Sequence, residues 1–588
     1  MNKHQFTRCF SLLLIAVMLL TCTVPAGYAE AQKTEGQKHT IEEKRYETYL
    51  CSPEDKLTKP YPLFFIDGVN DLPYVELKEW AELLYVANTE LNSDTGYDLY
   101  IDCNGDLVTF ERENEYTLDF DFQEGKMVFS DYDAFVHKAT DTTLIDLVTE
   151  PGYDAEGNMQ LIMRDKEASF DRYGDMLTVD LAGNGIPMIR QEDKYYVPLQ
   201  TMNDFLMLPL QHAFLFNGEA LFLANDEKLF SYRDGDYTKL AEMYYSAPTG
   251  ERSDKLAEYS YNELCLVLDT FYGLKEQHDI HSFRELFWQI GYDEVLTGNS
   301  AEDADRALKS VIDYYLDDLH SVFNEYSYLA GLLPIPSSTG IANRKLTEHQ
   351  DAYSKARKAF YPDGCPGYEE IGNTAYITFD TFTSNFFGEA FYNGKEKGEI
   401  PDDTIGLIIH AHEQITRENS PIENVVLDLS NNTGGAVDAA VFVLGWLLGE
   451  APFSVKNTAT GAMSTSVYRS DVNLDRVFDE KDTVADKNLY CLISPVSFSC
   501  GNLVPAALKS SQKVTLLGKT SGGGSCVVQN MSTAYGTVFQ MSSAMRMSFL
   551  KNGSFYDIDQ GVEPDYYINS LSNYYNRTTL TQFINNLY

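Results

Sequence analysis

From Gly367 to the end of the chain, short apolar runs alternate with longer segments that repeat apolar residues at helical spacing. The runs predicted as strands are NTAYITF, ENVVLDLS, LYCLIS and KVTLLG. The segments predicted as helices are DDTIGLIIHAHEQIT, VDAAVFVLGWLLG and CGNLVPAALKSS. Strands that alternate with helices in this way predict an α/β fold with a parallel sheet.

Upstream, the pattern changes twice. Residues 241–345 carry apolar positions at helical spacing, as in DADRALKSVIDYYLDDLHSVF, and predict a helical segment. Residues 57–240 alternate short strands with short helices, and Asn104-Gly105 between two alternating runs predicts a β-hairpin. We therefore expect an N-terminal α+β accessory module at 57–240, a helical segment at 241–345 and an α/β core at 346–588. The polar, aperiodic stretch 30–56 is predicted to be a linker.

The N-terminus has the three parts of a secretory signal peptide. Two basic residues precede an apolar stretch from Cys9 to Leu20, and small residues follow up to Ala29. The apolar stretch is too short to span a bilayer as a mature helix. We expect a signal peptide at residues 1–29 and a secreted or cell-surface protein. A lipid anchor at Cys22 is the alternative, and Thr21 makes it a poorer match because a small residue is expected there.

Composition and charge limit the partners. The chain has 588 residues, which exceeds what one hydrophobic core organises, and its net charge is −43. A surface this acidic repels nucleic acid and anionic lipid, so we expect neither as a partner. Two of the nine cysteines lie in the predicted signal peptide, and the others show no zinc or disulfide spacing. No later apolar run is long enough to span a membrane.

Three segments of the core combine a buried strand with a small or polar turn. In VVLDLSNNTGG the strand ends at Asp428, and the turn leads to Gly434-Gly435, where the backbone can approach a ligand. In LISPVSFSCGNLVPAAL a strand leads to Ser499 at a helix start, where free N–H groups favour negative charge. In VTLLGKTSGGGS a glycine-rich loop follows a strand without the spacing of a phosphate loop. Each segment alone also fits an ordinary turn or helix cap.

Together, in this order, the segments resemble the C-terminal processing (tail-specific) peptidase family. The resemblance rests on DLSNNTGG at 428–435, SFSCGN at 497–502, GKTSG at 518–522 and GVEPD at 561–565. It covers roughly residues 303–568. It implies a ClpP/crotonase-like core that hydrolyses bonds in a peptide or protein substrate, with no metal and no cofactor.

The resemblance also implies roles for particular residues. It places the nucleophile at Ser499 and the oxyanion donors at the backbone N–H groups of Gly434 and Cys500, where each donor can contribute ~100–1000-fold. Many family members use a lysine base, but Gly524 stands at that position here. The segment LDDLHSVF resembles the tricorn-like branch, in which a histidine is the base, and points to His320.

A third group is needed to orient the histidine. Asp557 and Asp559 stand close to where the tricorn-like branch carries a glutamate, and we prefer Asp559. Cys500 is a rival nucleophile, because a helix N-terminus activates a thiolate, but the family uses only the N–H at this position.

The leading hypothesis is a secreted serine endopeptidase whose N-terminal module binds substrate or the cell envelope. Ser430 and Asn502 stand where the family has arginine and glutamate. These departures, with the missing lysine, favour a second hypothesis: a catalytically inactive homologue that acts as a binding protein.

Overall fold

The computed structural model describes residues 38–50, 52–90, 99–113, 115–137, 143–145, 152–153, 159–160, 162–226, 229–230, 235–331, 333–336, 339–384 and 388–587. The predicted signal peptide at 1–29 and the alternative anchor site Cys22 lie outside the described residues. Thr40–Tyr588 forms one unit by its internal contacts.

The strands are numbered along the chain. Strands β1 to β16 are Ile41–Tyr46, Thr48–Tyr49, Tyr61–Ile66, Tyr74–Glu76, Leu99–Asn104, Leu107–Arg112, Tyr116–Asp121, Lys126–Phe129, Gly152–Tyr153, Met159–Gln160, Met163–Arg172, Leu177–Asp180, Ile189–Gln191, Lys194–Pro198, His212–Phe216 and Leu221–Asn225. Strands β17 to β29 are Val322–Glu325, Tyr368–Ile371, Thr374–Thr378, Asn424–Asp428, Ala451–Asn457, Met463–Ser470, Asn488–Ile493, Val514–Gly518, Cys526–Ser532, Val538–Ser548, Leu550–Lys551, Ser554–Phe555 and Tyr566–Tyr567.

The helices are numbered in the same way. Helices α1 to α8 are Leu77–Glu90, Tyr132–His137, Leu199–Leu206, Gly235–Tyr245, Asp254–Phe271, Phe283–Ile290, Asp293–Leu296 and Ala301–Ser310. Helices α9 to α15 are Ile341–Lys358, Gly388–Lys397, Thr404–Thr416, Val437–Leu448, Cys500–Ser511, Ser572–Tyr575 and Arg577–Ile584. A π-helical turn, Val311–Leu316, follows α8 directly.

A six-stranded sheet in the order β18-β19-β20-β23-β24-β29 carries the candidate site. The strands from β19 to β29 are parallel, and β18 is an antiparallel edge. Helices α11 to α13 cover one face, and α9, α14 and α15 cover the other. Burial on both faces explains why β20 is a continuous apolar run rather than an alternating one. The α/β prediction for the core is confirmed.

A second sheet, in the order β11-β22-β21-β26-β17, adjoins the core, and β25 also pairs with β26. β11 lies within the stretch predicted as a separate accessory module, yet it pairs with β22 along Met163–Arg172 and Met463–Ser470. The chain therefore supplies this sheet from segments about three hundred positions apart. The predicted boundary at 240 does not separate the sheets.

The N-terminal part is β-rich, as the predicted α+β module requires. Its sheets have the orders β1-β3-β4-β14-β13, β12-β8-β7-β6-β5 and β15-β16-β2. The hairpin predicted at Asn104-Gly105 joins β5 to β6. Within the predicted linker, however, Ile41–Tyr46 is strand β1, paired antiparallel with β3. Its sequence, IEEKRY, reads as polar because it is an edge strand whose charged side chains face solvent.

No helix in the described ranges is both long and apolar enough to cross a membrane. The cysteines that the structure describes in Thr40–Tyr588 are free thiols, four of them buried.

Candidate active site

The turns that follow β20 and β23 meet at the carboxyl edge of the parallel sheet, where α/β folds place their ligands. The Ser497 hydroxyl donates to the Leu429 carbonyl oxygen at 2.7 Å, and the Phe498 N–H donates to the Asn432 carbonyl oxygen at 3.1 Å. Ser497 is fully buried and its hydroxyl is engaged. Ser494 is also fully buried, and its hydroxyl donates to the Ser430 carbonyl oxygen at 2.6 Å. Of the three serines in this turn, only Ser499 remains available for chemistry.

Ser499 lies between β23 and α13 in a strained backbone conformation, with φ 56° and ψ −124°. Its N–H donates to the Gly523 carbonyl oxygen at 2.9 Å, and its side chain makes no capping hydrogen bond. A non-glycine residue with positive φ is costly and persists where the surroundings enforce it, which is typical of functional sites. The hydroxyl is partly exposed at the start of a helix.

Gly434 packs directly against Ser499. A Cβ added at Gly434 would lie 2.6 Å from the Ser499 Cβ and 3.0 Å from its Oγ. The Gly434 N–H, predicted as an oxyanion donor, instead donates to the Asn432 Oδ1 at 2.9 Å. In the described part of the chain, the N–H groups of Gly435 and Cys500 have no acceptor. Two amides are thus unengaged: that of Gly435, next to Gly434, and that of Cys500, which begins α13.

The Cys500 side chain does not have the properties of a nucleophile. The thiol is buried and donates to the Gly435 carbonyl oxygen at 3.1 Å. Burial raises the pKa of Cys500 to about 12, so the thiol stays protonated near neutral pH. The rival thiol hypothesis is not supported.

We expect Cys500 to resist alkylation in the native protein, because its thiol is protonated and out of reach of reagent. Iodoacetamide should modify Cys500 only after unfolding, as peptide mass spectrometry of native and denatured samples would show. Cys103, which is only partly buried, is the internal control for reagent activity. Stoichiometric native modification of Cys500 would contradict this expectation.

His320 lies at the site, in the turn before β17. Its ring centroid is 4.6 Å from that of Phe498, with 52° between the ring planes. The side chain is only 8% exposed, and this burial lowers the pKa of His320 to about 4, while Asp318 opposes the shift. In the residues described, no hydrogen bond joins the ring to the Ser499 hydroxyl. Such bonds are often long before substrate binds.

The position of the family lysine is occupied by other atoms. A Cβ at Gly524 would lie 2.5 Å from the Phe498 ring, and Gly524 has φ +86°. The Phe498 ring therefore contacts both Gly524 and His320. A lysine at 524 would require this ring to move. His320, in the turn before β17, contacts the ring where it lies.

Asp559 lies on the loop behind Gly524. Its backbone oxygen accepts the Gly524 N–H at 3.2 Å, and its Oδ1 accepts the Ser525 hydroxyl at 3.3 Å. Burial raises the pKa of Asp559, so its carboxyl group keeps its proton to a higher pH than usual. Asp557 instead forms an ion pair with Arg546 at 2.7 Å. Neither carboxylate bonds to His320 within the described chain, so the third relay residue stays a prediction.

Two departures from the family motifs have local explanations. The Asn502 Nδ2 donates to the Ile558 carbonyl oxygen at 2.9 Å, and its Oδ1 accepts the Ser521 hydroxyl at 2.7 Å. The Asn502 side-chain amide thus connects the glycine-rich loop after β24 to the turn at 558–562. The Ser430 hydroxyl lies 3.2 Å from the Tyr575 hydroxyl, so C-terminal residues fill the space beside it.

Sequence reasoning missed a buried ion pair beneath the site. The Arg577 Nη2 donates to the Asp428 Oδ2 at 2.6 Å, and these side chains are 2% and 1% exposed. The other Asp428 oxygen accepts the Ser430 N–H at 2.9 Å, which fixes the start of the turn leading to Gly434. A carboxylate ending a buried strand was the available signal, because it must be paired.

Replacing Gly434 with alanine should reduce hydrolysis by about 100-fold or more, because the methyl group displaces Ser499. Gly449→Ala is the matched control, since Gly449 also has positive φ (+82°) but its nearest neighbour is 3.9 Å away. The Gly449→Ala variant therefore introduces the backbone strain of a positive φ without a steric clash. Equal activity losses in the two variants, measured as kcat/KM on one peptide, would show that the contact with Ser499 is unimportant.

Residues 373–568 match the family model described as Peptidase family S41. No curated protein matches the chain. Among solved structures, the photosystem II D1 C-terminal processing protease is similar at 19% identity and TM-score 0.24, over 33% of this chain and 42% of that one. Mature CPAF matches at 11% identity and TM-score 0.35, over 57% and 96%. The tricorn protease matches at 11% identity and TM-score 0.28, over 83% and 46%. The match thus covers less than half the length of the photosystem II D1 processing protease and of the tricorn protease.

Proposed function

We propose that the chain is a serine endopeptidase, on the premise that residues 373–568 match the model of Peptidase family S41. The supporting observation is the arrangement around Ser499. Its hydroxyl lies at the start of α13 against Gly434, and the adjacent Phe498 contacts the buried ring of His320.

In the proposed mechanism, the Ser499 oxygen attacks the scissile carbonyl carbon and a neutral ring nitrogen of His320 accepts its proton. The N–H groups of Cys500 and Gly435 stabilise the developing oxyanion, because Gly434 is engaged with Asn432. The imidazolium then protonates the leaving amine, and the acyl-enzyme at Ser499 remains. Water, deprotonated by His320, then attacks the acyl carbon. The bond to the Ser499 oxygen breaks, that oxygen takes the proton back from His320, and the second product leaves as a carboxylic acid.

Asp559 is proposed to face the imidazolium once substrate has closed the site. Its negative charge would offset the cost of charging a buried ring. Replacement by asparagine at 559 should lower kcat, and an unchanged kcat would remove Asp559 from the relay.

We also propose that the protein acts outside the cell or at its surface. The N-terminal pattern of basic, apolar and small residues supports this, and so does the acidic surface. The N-terminal module would then bind substrate or the envelope. Intact mass measured on protein from culture medium should correspond to cleavage after Ala29, and full-length protein retained in the cytoplasm would contradict secretion.

The second candidate is a catalytically inactive homologue that binds peptides. The lack of a hydrogen bond between the His320 ring and the Ser499 hydroxyl, in the residues described here, favours it. A fluorophosphonate probe separates the candidates. Labelling of Ser499, together with hydrolysis of an unfolded protein such as casein, supports the peptidase. A folded protein that gives neither supports the binding protein.

A further inference from the structure

Tyr272 directly follows helix α5, far upstream of the matched peptidase segment, and its backbone reaches the second sheet. Its side chain is 3% exposed, and its backbone forms an antiparallel bridge with Ser543 of β26. The Gly273 N–H donates to the Ser542 carbonyl oxygen at 2.9 Å. A Cβ at Gly273 would lie 2.0 Å from the Ser543 oxygen, so this close approach requires glycine. The end of α5 is therefore fixed against β26.

The Tyr272 hydroxyl donates to the Asp318 Oδ2 at 2.8 Å. The other oxygen of that carboxylate, Oδ1, accepts the Ser542 hydroxyl at 2.8 Å. Oδ1 also accepts the N–H groups of His320 at 3.0 Å and Ser321 at 2.9 Å. One carboxylate therefore connects α5 and β26 to the turn that carries the histidine.

We propose that Tyr272 is a positioning residue for His320, acting through Asp318. The role of His320 as base rests on the proposed function, but the contact itself does not. Without the Tyr272 hydroxyl, Asp318 loses the only donor to its Oδ2 among the described residues and is held through Oδ1 alone. The carboxylate can then tilt about these remaining bonds and shift the two backbone N–H groups that set the direction of the histidine.

The charges around the ring predict the sign of the effect. Asp318 favours the charged imidazolium, whereas burial disfavours it. Asp559 interacts electrostatically with Asp318 and with Arg546 on β26, Arg546 also pairs with Asp557, and the Cys526 thiol on β25 is neutral. A hydroxyl that donates to Asp318 draws its charge away from the ring. Removing this donor should therefore raise the pKa of His320.

The test is Tyr272→Phe, which removes one hydroxyl and keeps the ring. We expect kcat to fall about tenfold with KM within about twofold, because the histidine is misplaced while substrate contacts are kept. The acidic limb of the kcat/KM profile should move up by about half a pH unit or more. Ser542→Ala should act in the same direction. Tyr261→Phe is the control, since Tyr261 is a buried tyrosine on the same helix without a contact to Asp318.

A histidine NMR titration of Ser499→Ala protein, with and without Tyr272→Phe, measures the same contact without turnover. The His320 resonance is assigned by its loss in His320→Gln. Unchanged kcat and an unchanged His320 pKa in folded Tyr272→Phe would overturn the proposal. A shifted pKa in a chain that hydrolyses nothing would support the contact and overturn the proposed peptidase function instead.

Discussion

Ser499→Ala should lower peptide hydrolysis by about 10^4–10^6-fold and abolish fluorophosphonate labelling, because no other group can form the acyl-enzyme. The alternative hydroxyl, Ser497, is buried and donates to the Leu429 carbonyl oxygen. Ser497→Ala is the matched control. It should cost stability but keep the label, because the lost hydrogen bond joins two turns and the Ser497 side chain is fully buried.

The same position offers a stability test that needs no substrate. Ser499 has φ 56°, a conformation that glycine adopts without strain. Ser499→Gly should therefore have a free energy of unfolding about 1 kcal/mol larger than that of Ser499→Ala, and a higher melting temperature. Equal melting temperatures would show that the strained turn is absent in solution, and with it the geometry on which the mechanism depends.

His320→Ala should reduce turnover by a similar factor, with the melting temperature within a few degrees of the wild type. His412→Ala is the matched control, since His412 is also buried (3% exposed) but its ring accepts a hydrogen bond from Trp446 of α12. The control should be destabilised and active. Unchanged activity in His320→Ala, measured as kcat/KM on one peptide, would remove His320 from the mechanism.

The pH dependence has a definite sign. A base with a pKa of about 4 is neutral and competent at pH 5 and above, so kcat/KM should fall only near pH 4 rather than near 6.5. Because the folded-state pKa lies below the unfolded value, the unfolded chain binds the proton more tightly. Stability is therefore full above about pH 6.5 and is lost as pH falls toward 4. His320→Ala should lose less stability than wild type over this window.

The core was readable from sequence because its signals are local. The strands around Asp428 and Ile493 are short apolar runs, and the helices between them have clear boundaries. The turn before Ser499 follows from the same pattern, because a strand must end where a helix begins. The position of Ser499 at the start of a helix was thus accessible without coordinates.

The second sheet was not readable, because its strands pair over long distances. β21 and β22 were not predicted, and no local feature indicates that β11 is the partner of β22. The environment of His320 was hidden for the same reason. Phe498 contacts the ring and Tyr272 contacts the neighbouring Asp318, and both come from elements far from His320 in the chain, so only the assembled fold brings them together.

The pairing of β11 with β22 has a practical consequence for anyone who dissects this protein. A fragment that begins near residue 373 would leave the outer edge of β22 without its partner. An open, half-apolar edge invites association with other copies, so such a fragment should aggregate when produced alone. We therefore expect the smallest soluble recombinant piece to retain the N-terminal strands, even though the candidate catalytic residues His320, Ser499 and Asp559 all lie downstream of them.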